Sequence, residues 1–423
     1  MIGIVETHDV ADPAGKRNLV TVAGALPYPQ VPHAGGRYLL ALSRQLKAAF
    51  KVTYIVPNSS PNLEAAHSSE IAALFAGLEA PGHSYQSIIS FVIARIEAIL
   101  RRLHPGIASL SVGWYIITNA KARLAIQSAD IVDLQWAEFV GLARLIKRLN
   151  PHARIIGTYH DVLSQLYLRR AKRATGLRRL RWKLAAKFSI ASETRSVRFT
   201  ETVVTLNSKD AALLRRRGVT ATVIDPPLAV GIRPRTPQAT PIVLFVGYFA
   251  RDINCEAVEW FLKRVWPGLR GAFPECQLRL VGADPQGKLA AVVRGAVGVK
   301  AIGYVENIWD EYANADVCVV PLLSGSGVKF KAIEPLLAGV PTVSTTIGVE
   351  GIETGGRFAR VVDDARGFRE AIFDIIVNPA EAEQRAHTVQ AEVRAQYSIS
   401  RFQAMVDEVY RTHGSDASRE GKS

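Results

Sequence analysis

The strongest constraint on this chain is an alternation that occurs twice. Short apolar runs, rich in Val and Ile, are separated by stretches with helical periodicity. In the first half the runs are Leu19–Gly24, Val52–Val56, Ile131–Leu134, Arg154–Thr158, Thr202–Leu206 and Thr222–Ile224. In the second they are Ile242–Val246, Gln277–Val281, Val299–Ile302, Val317–Val320, Thr342–Ser344 and Arg360–Val362. Strands that are apolar on both faces and alternate with helices build parallel sheets covered on each side. The expected fold is therefore α/β, with two doubly wound, Rossmann-like domains facing a cleft. Between the runs, residues 61–127 read as mostly helical, Phe139–Leu149 as one helix, and Pro379–His413 as helix again. The segment Gly231–Pro241 carries three prolines and marks the boundary. The expected organisation is a first domain over 1–230 and a second over 231–392. A helix over 393–413 crosses back to the first domain, and 414–423 is a polar tail. Ligands of such sheets bind beyond the carboxyl ends of the strands, so the loops after strands are the places to inspect.

Several classes are excluded at once. Three cysteines in 423 residues (Cys255, Cys276, Cys318) form neither a disulfide framework nor a metal-ligand spacing, which fits a reducing cytoplasm. The segment Met1–Asp12 has no apolar core of a secretory leader, and no apolar run is long enough to span a bilayer. Charge is more informative. The net +14 is unevenly placed: residues 1–228 hold 30 Lys and Arg against 15 Asp and Glu, and the remainder 22 against 23. All of the excess lies in the first half, which points that half toward an anionic partner such as nucleic acid, a membrane surface or a phosphorylated substrate.

Two nucleotide motifs fail on inspection. Gly282–Lys288 has the glycines and lysine of a phosphate loop but continues with Leu289 where a Mg²⁺-holding hydroxyl is required. The loop after the first strand has Gly24, Gly35 and Gly36 at the wrong spacing for a dinucleotide fingerprint. The segment Val319–Thr345 is different. A strand enters a Gly325-Ser326-Gly327 loop and a helix begins near Val328, so free amides and the helix dipole make a site suited to a diphosphate. Lys329 and Lys331 near that helix start are locally unfavourable unless an anion sits there, and Glu334 on the same helix can accept hydrogen bonds from a sugar or ribose diol. On physics alone a Gly-rich turn with solvated lysines reads equally well.

The residues of Gly325–Gly351 resemble the donor-site signature of retaining GT-B glycosyltransferases of family 4, the "group 1" type. More closely they resemble the bacterial subgroup reading Gly-x-Gly-x-Lys-x-Lys-x-x-Glu, followed by Ala-Gly-x-Pro and Thr-x-x-Gly-x-Glu-Gly. Here these are Gly325, Gly327, Lys329, Lys331, Glu334, Ala338, Gly339, Pro341, Thr345, Gly348, Glu350 and Gly351. Phe245-Val246-Gly247 with Asn254, Ala257, Trp260-Phe261 and Pro267 looks like the subgroup's opening strand and helix. Gly303-Tyr304-Val305 through Ala315-Asp316-Val317 looks like a further region of it. Gly35-Gly36-Arg37 and His160-Asp161-Val162 match acceptor-side positions. The likeness covers residues 18–412. Two departures stand out: Ser326 occupies the position of the wider family's first glutamate, and Tyr248 follows Gly247 where the wider family carries an Arg and a Lys.

The resemblance implies transfer of a sugar from a nucleotide-diphosphate sugar to an acceptor hydroxyl, with retention of configuration and without a metal or resident cofactor. Fixed cations and helix-start amides would stabilise the departing diphosphate. The implied catalytic group is His160, Lys329 and Glu334, with Glu334 binding hydroxyls and not acting as nucleophile. The implied donor contacts are Gly247, Tyr248, Asn254, Tyr304, Val305, Ser326, Gly327, Lys329, Lys331, Glu334 and Gly348. On the acceptor side they are Gly35, Gly36, Arg37, His160 and Asp161. The product would belong to polysaccharide, glycolipid or glycoside biosynthesis.

From Arg169 to Lys187 there are nine basic residues and no acid, interleaved with Leu177, Leu180, Trp182 and Leu184 and flanked by Leu166, Leu168 and Phe188. Residues 166–188 therefore read as a basic amphipathic stretch that can lie on an anionic bilayer, which makes a lipid-linked or anionic acceptor and a place on the inner face of the membrane natural expectations. A solvated helix is the plainer alternative. Nucleic-acid binding would also explain the charge, but no recognisable module for it is present and none is expected as partner. An epimerase or phosphorylase on the same fold is the remaining alternative.

Overall fold

A computed structural model describes residues 15–28, 34–67, 71–76, 85–103, 107–228, 231, 233–234, 238–325, 327–352 and 355–411. Met1–Asp12 and Ser326 lie outside these residues, as do part of the proline-rich linker and the chain beyond Arg411. The chain forms two compact units, divided between Ile224 and Asp225, where the expectation placed the first boundary at residue 230. The second unit runs to Phe402, and the chain from Gln403 belongs again to the first.

In the first unit the described strands are β1 (Arg17–Val22), β2 (Phe50–Pro57), β3 (Ala73–Ala76), β4 (Ile131–Gln135), β5 (Arg154–Tyr159), β6 (Thr202–Thr205) and β7 (Thr222–Val223). All pair in parallel, in the order β3-β2-β1-β4-β5-β6-β7. Consecutive residues are buried along β1 from Leu19 to Val22 and throughout β4, as expected of strands covered on both faces. The strand order reverses between β1 and β4, which makes the loops beyond their carboxyl ends the binding position. Within the region read as helical, β3 is a strand. Its Ala-Leu-Phe-Ala sequence lacks β-branched residues, and pairing with β2 at the sheet edge overrides that propensity.

Four helices of this unit matter below: α1 (Ala34–Ala49), α2 (Tyr85–Leu103), α3 (Leu163–Arg173) and α4 (Gly176–Ser196). The basic stretch is thus not one amphipathic helix. It breaks at Thr175, Gly176 takes the left-handed conformation (φ 54°), and α3 and α4 pack as a hairpin. Tyr167 stacks on Trp182 at 5.7 Å, and Leu166 and Trp182 join the buried Ala185 and Ala186. Leu168, Leu177, Leu180, Leu184 and Phe188 stay exposed. The segment expected as one helix over Phe139–Leu149 is two, Ala137–Val140 and Ala143–Leu149. At Gly141 between them a Cβ would lie 2.7 Å from that of Ala108, so the chain bends where no side chain fits.

The second unit carries β8 (Ile242–Val246), β9 (Gln277–Val281), β10 (Val299–Gly303), β11 (Val317–Val320), β12 (Thr342–Ser344) and β13 (Arg360–Val361), parallel in the order β10-β9-β8-β11-β12-β13. Its order reverses between β8 and β11. The helices α5 (Asp252–Arg264) and α6 (Phe330–Ala338) follow β8 and β11, and α7 (Pro379–Gln396) packs on α6. Gly339 closes α6 in the left-handed conformation (φ 75°), and Gln390 of α7 donates to the Leu337 carbonyl at 2.8 Å. The last helix, α8 (Ile399–Arg411), starts in the second unit and ends in the first, where Tyr410 is buried.

Candidate functional site

In the second unit, four loops follow the carboxyl ends of β8, β10, β11 and β12, and the sequence-predicted donor residues fall on them or on the helices they lead into. The loops are shaped by backbone that tolerates no side chain. At Gly348 a Cβ would lie 2.2 Å from Ser344 Oγ and 2.6 Å from the Val320 carbonyl. At Gly282 (φ 136°) it would fall 1.8 Å from the Gly247 carbonyl. The β12 loop is laced inward: Thr345 Oγ1 donates to the Leu322 carbonyl at 2.6 Å and accepts from the Gly348 amide at 3.1 Å. Gly325 (φ 138°) and Gly327 (φ 71°) turn the chain into α6 with backbone geometry that L-residues avoid. The helix starts at Phe330, two residues later than expected, so Lys329 is its N-cap and Lys331 lies in the first turn.

The charged groups here are tied together. Lys329 is buried, and its Nζ lies 3.4 Å from Glu350 Oε2. Lys331 Nζ donates to Asn254 Oδ1 and sits 5.4 Å from the centre of the Phe245 ring. Asn254 in turn donates to the Tyr248 carbonyl at 2.7 Å. Burial pushes the Lys331 ammonium down to about 7; the nearby positive charges of Arg251 and Lys329 act in the same direction and Glu334 opposes them. Glu334 is buried and accepts from the Tyr312 hydroxyl at 3.1 Å. Tyr304, by contrast, is exposed, and Val305 is half-buried beside Trp309 and Tyr312. Arg251 and Tyr312 escaped the sequence reading, since neither belongs to a glycine or lysine pattern. The result is a helix start with two lysines at its N-cap and in its first turn and the charge of Arg251 felt at Lys331, an arrangement that favours a polyanion over any neutral group.

In the first unit, the expected acceptor residues gather at the carboxyl ends of β4 and β5. His160 follows β5 and is buried, stacked on Trp136 (4.1 Å, 12°) with Tyr38 edge-on at 5.4 Å. Gly35 in the first turn of α1 makes room: a Cβ there would lie 2.9 Å from His160 Nδ1 and 3.1 Å from Trp136 Cζ2. Gly36 is buried, Arg37 exposed, and Asp161 half-buried. Behind the imidazole stands a polar chain that the sequence reading missed. Gln135 Oε1 lies 2.8 Å from His160 Nε2, and Gln135 Nε2 donates to both Asp133 oxygens at 2.9 Å. Asp133 Oδ1 also accepts from the Tyr410 hydroxyl at 3.0 Å. Complete burial raises the Asp133 carboxyl to about 6 despite these donors. Trp136 has φ 70°, the one positive value at a non-glycine among the described residues, and such strain concentrates at functional sites.

Among the described residues, no group of three or more His, Cys, Asp or Glu is placed to hold a metal ion, and no helix is long and apolar enough to cross a membrane.

Residues 240–378 match the family described as glycosyl transferases group 1, and residues 35–228 match glycosyltransferase family 4. A curated protein, described as an uncharacterized 44.6 kDa protein in the cps region of Klebsiella pneumoniae, is 29% identical over 120 residues. That match takes in 26% of this chain and 31% of the relative's length. Among solved structures, Anabaena HepE, in complex with UDP and glucose, superposes with a TM-score of 0.65 at 12% identity, over 94% of this chain and all of that one. Sucrose-phosphate synthase from Thermosynechococcus elongatus gives 0.66 at 17% identity, over 94% of this chain and 98% of its own. At these identities the superpositions show a shared fold, two Rossmann-like domains of the GT-B type.

Proposed function

Because the chain is a glycosyltransferase of the group 1, family 4 type, we propose that it takes its sugar from a nucleotide-diphosphate sugar and transfers it to an acceptor hydroxyl with retention of configuration. The observation that carries this reading is the pair Lys329 and Lys331 at one helix start preceded by Gly325 and Gly327 in left-handed backbone. The solved complex of HepE with UDP and glucose supports a donor of this class. When the bond from sugar to diphosphate breaks, negative charge grows on the departing phosphate. Fixed cations and the amides at the start of α6 stabilise that charge more than the ground state, the part a bound metal plays elsewhere. Gly247, Tyr248 and Asn254 shape this pocket from the β8 side, Tyr304 and Val305 from β10, and Gly348 from β12. Glu334 binds donor hydroxyls, and the Tyr312 hydroxyl fixes its orientation. In the first unit His160, with Gly35, Gly36, Arg37 and Asp161, contacts the acceptor or the transferred sugar.

The acceptor is anionic or lipid-linked in this reading, because the charge excess lies in the first half and the donor half is close to neutral. Residues 166–188 then bring the enzyme to an anionic membrane surface as a peripheral protein. Incubating the full chain with UDP-, GDP-, ADP- and dTDP-sugars in a thermal-shift screen identifies the donor, since a tight ligand raises Tm by mass action. Lys329→Ala should abolish transfer from that donor, and unchanged turnover would overturn the donor-site assignment. A product of opposite anomeric configuration to the donor would overturn retention.

A further inference from the structure

The helix α2 buries a carboxylate and carries a row of exposed apolar side chains. Facing in, the buried Glu97 accepts from Arg101 Nε at 2.8 Å, from Ser109 Oγ at 3.2 Å, and from the Ser111 amide and hydroxyl at 2.7 and 2.6 Å. Facing out, Ile88, Phe91, Val92, Ile96 and Ile99 are between 46% and 59% exposed. Their spacing (i, i+3, i+4, i+8, i+11) puts them on one stripe. The helix α4 presents a second stripe, Leu177, Leu180, Leu184 and Phe188, at i, i+3, i+7 and i+11, with Leu177 85% exposed. Side chains of this size scattered singly need no explanation, but two continuous stripes on neighbouring helices mark an interaction surface.

The α4 stripe runs into a cavity of about 890 Å³, which α2 reaches through Leu100. Leu100 of α2, one helical turn beyond Ile96, forms one wall, and Leu184 and Phe188 of α4 form another. Four arginines line the same cavity: Arg144, Arg181, Arg195 and Arg198. Arg181 is committed to the structure, donating to the Arg102 carbonyl at the end of α2. Arg144, Arg195 and Arg198 are exposed, and none pairs with a carboxylate among the described residues. An apolar hollow bordered by guanidinium groups that have no carboxylate partner, Arg144 lying over the Phe199 ring at 6.0 Å, and flanked by exposed apolar side chains matches an amphipathic anion: a hydrocarbon chain in the hollow and a phosphate at its rim.

We propose that the cavity between α2 and α4 binds one anionic phospholipid of a bilayer, its acyl chain in the hollow and its phosphate on Arg144, Arg195 and Arg198, while both stripes enter the headgroup boundary. The inference rests on the membrane-surface reading of residues 166–188 and adds to it a discrete lipid site, which a merely basic surface does not have. Trp182, with Arg170 and Arg181 each over its ring at 4.8 Å, is one of six tryptophans, so its part of the fluorescence is isolated by comparison with Trp182→Phe.

The test uses the full chain, with vesicles of phosphatidylcholine alone or mixed with phosphatidylglycerol, and with dioctanoyl phosphatidylglycerol titrated below its micelle concentration. The expected result is saturable binding of one short-chain lipid, read by calorimetry and by the part of the tryptophan fluorescence that Trp182→Phe removes. The double variant Arg195→Gln/Arg198→Gln should weaken it about thirtyfold, at about 1 kcal/mol per surface cation. Phe188→Glu, at an exposed position, should abolish sedimentation with the mixed vesicles. If anionic vesicles bind but the short-chain lipid does not, and the arginine pair changes nothing, the lipid site is overturned and the surface reading survives. If no vesicle binds, both fail. A dimer by light scattering that Phe188→Glu dissociates, with no lipid response, would assign the stripes to a second copy of the chain and overturn the proposal.

Discussion

Gln135 stands between Asp133 and His160 with each end of its amide committed. Its Nε2 donates to the carboxylate and its Oε1 lies 2.8 Å from the imidazole Nε2. An amide oxygen can only accept, so the hydrogen-bond network places a proton on His160 Nε2 and turns Nδ1 to the side of Gly35. The first prediction follows. Gln135→Leu removes the group that holds both tautomer and ring orientation, and should lower kcat/KM roughly fivefold to thirtyfold, about 1–2 kcal/mol for one lost buried hydrogen bond. Donor KM should stay unchanged, since the donor residues lie in the other unit. Steady-state kinetics with the identified donor checks both, and wild-type turnover in Gln135→Leu would mean that the ring needs no such support.

Asp133 makes the first unit sensitive to pH. Its carboxyl rises from 3.8 to about 6, so between these values the folded chain keeps a proton that the unfolded chain has released. Stability therefore falls as pH rises through that window, by roughly 3 kcal/mol from this group, and is level above it. Urea unfolding at both ends of the window should show that penalty in the wild type and not in Asp133→Asn. Equal pH dependence in the two proteins would remove Asp133 as the cause.

Lys331 predicts proton uptake on donor binding. Without ligand its ammonium titrates near 7, below the ordinary value of 10.5, because the site is buried and already holds positive charge. A diphosphate supplies the missing anion and draws the proton back. At about pH 8.5, where the nucleotide itself is fully ionised, binding should take up close to one proton, and affinity should fall as pH rises further. Calorimetry in buffers of different ionisation enthalpy measures that uptake, and Lys331→Met should abolish it. Uptake that persists in the variant would belong to another group.

How much of this was legible before the structure depended on how local the signal was. Strands such as Ile242–Val246 and Val317–Val320 announce themselves because burial on both faces demands unbroken apolar runs, whereas β3 depends on its neighbour β2 and carries no such signature. The glycine and lysine spacing at the start of α6 was visible, but not that Lys329 caps the helix or that Arg251 approaches from a different loop. Asp133 and Gln135 did leave a trace: two polar residues at i and i+2 in an otherwise apolar strand share one face and need partners. Their partner Tyr410 is 277 positions from Asp133, beyond the reach of any local pattern. The positive φ of Trp136 has no sequence signature either, since tryptophan is among the residues least suited to it.

Gly35 sets helix propensity against the packing of His160. In the first turn of α1 a Gly→Ala exchange should by propensity strengthen the helix by up to about 1 kcal/mol. The added methyl would meet His160 Nδ1 at 2.9 Å and the Trp136 ring at 3.1 Å, and the imidazole, stacked on one ring and edged by another, can yield only by leaving its place. Displacing the ring loses its stacking and the Gln135 bond, which outweighs the gain in helix propensity, so Gly35→Ala should lower Tm and turnover should fall at least about tenfold, the cost of a misplaced reacting group. Scanning calorimetry beside a kinetic assay checks this, and full activity with a raised Tm would show that His160 tolerates displacement.

Lys329 and Glu350 test whether the donor cation is also structural. Lys329 is buried, Glu350 is nearly so and they lie 3.4 Å apart, so removing the lysine alone takes away the cation beside a poorly solvated carboxylate. Lys329→Ala should accordingly lose stability, on the order of 3 kcal/mol, in addition to its loss of transfer. Replacing both partners, Lys329→Met with Glu350→Gln, keeps the volume and removes the uncompensated charge, and should recover most of that stability. It should not recover transfer, because the thioether that replaces the ammonium carries no charge to meet the departing phosphate. Urea denaturation and donor turnover of the three proteins separate the two contributions. A double variant that regained activity together with stability would show that Lys329 acts by supporting the loop and not by stabilising the leaving group.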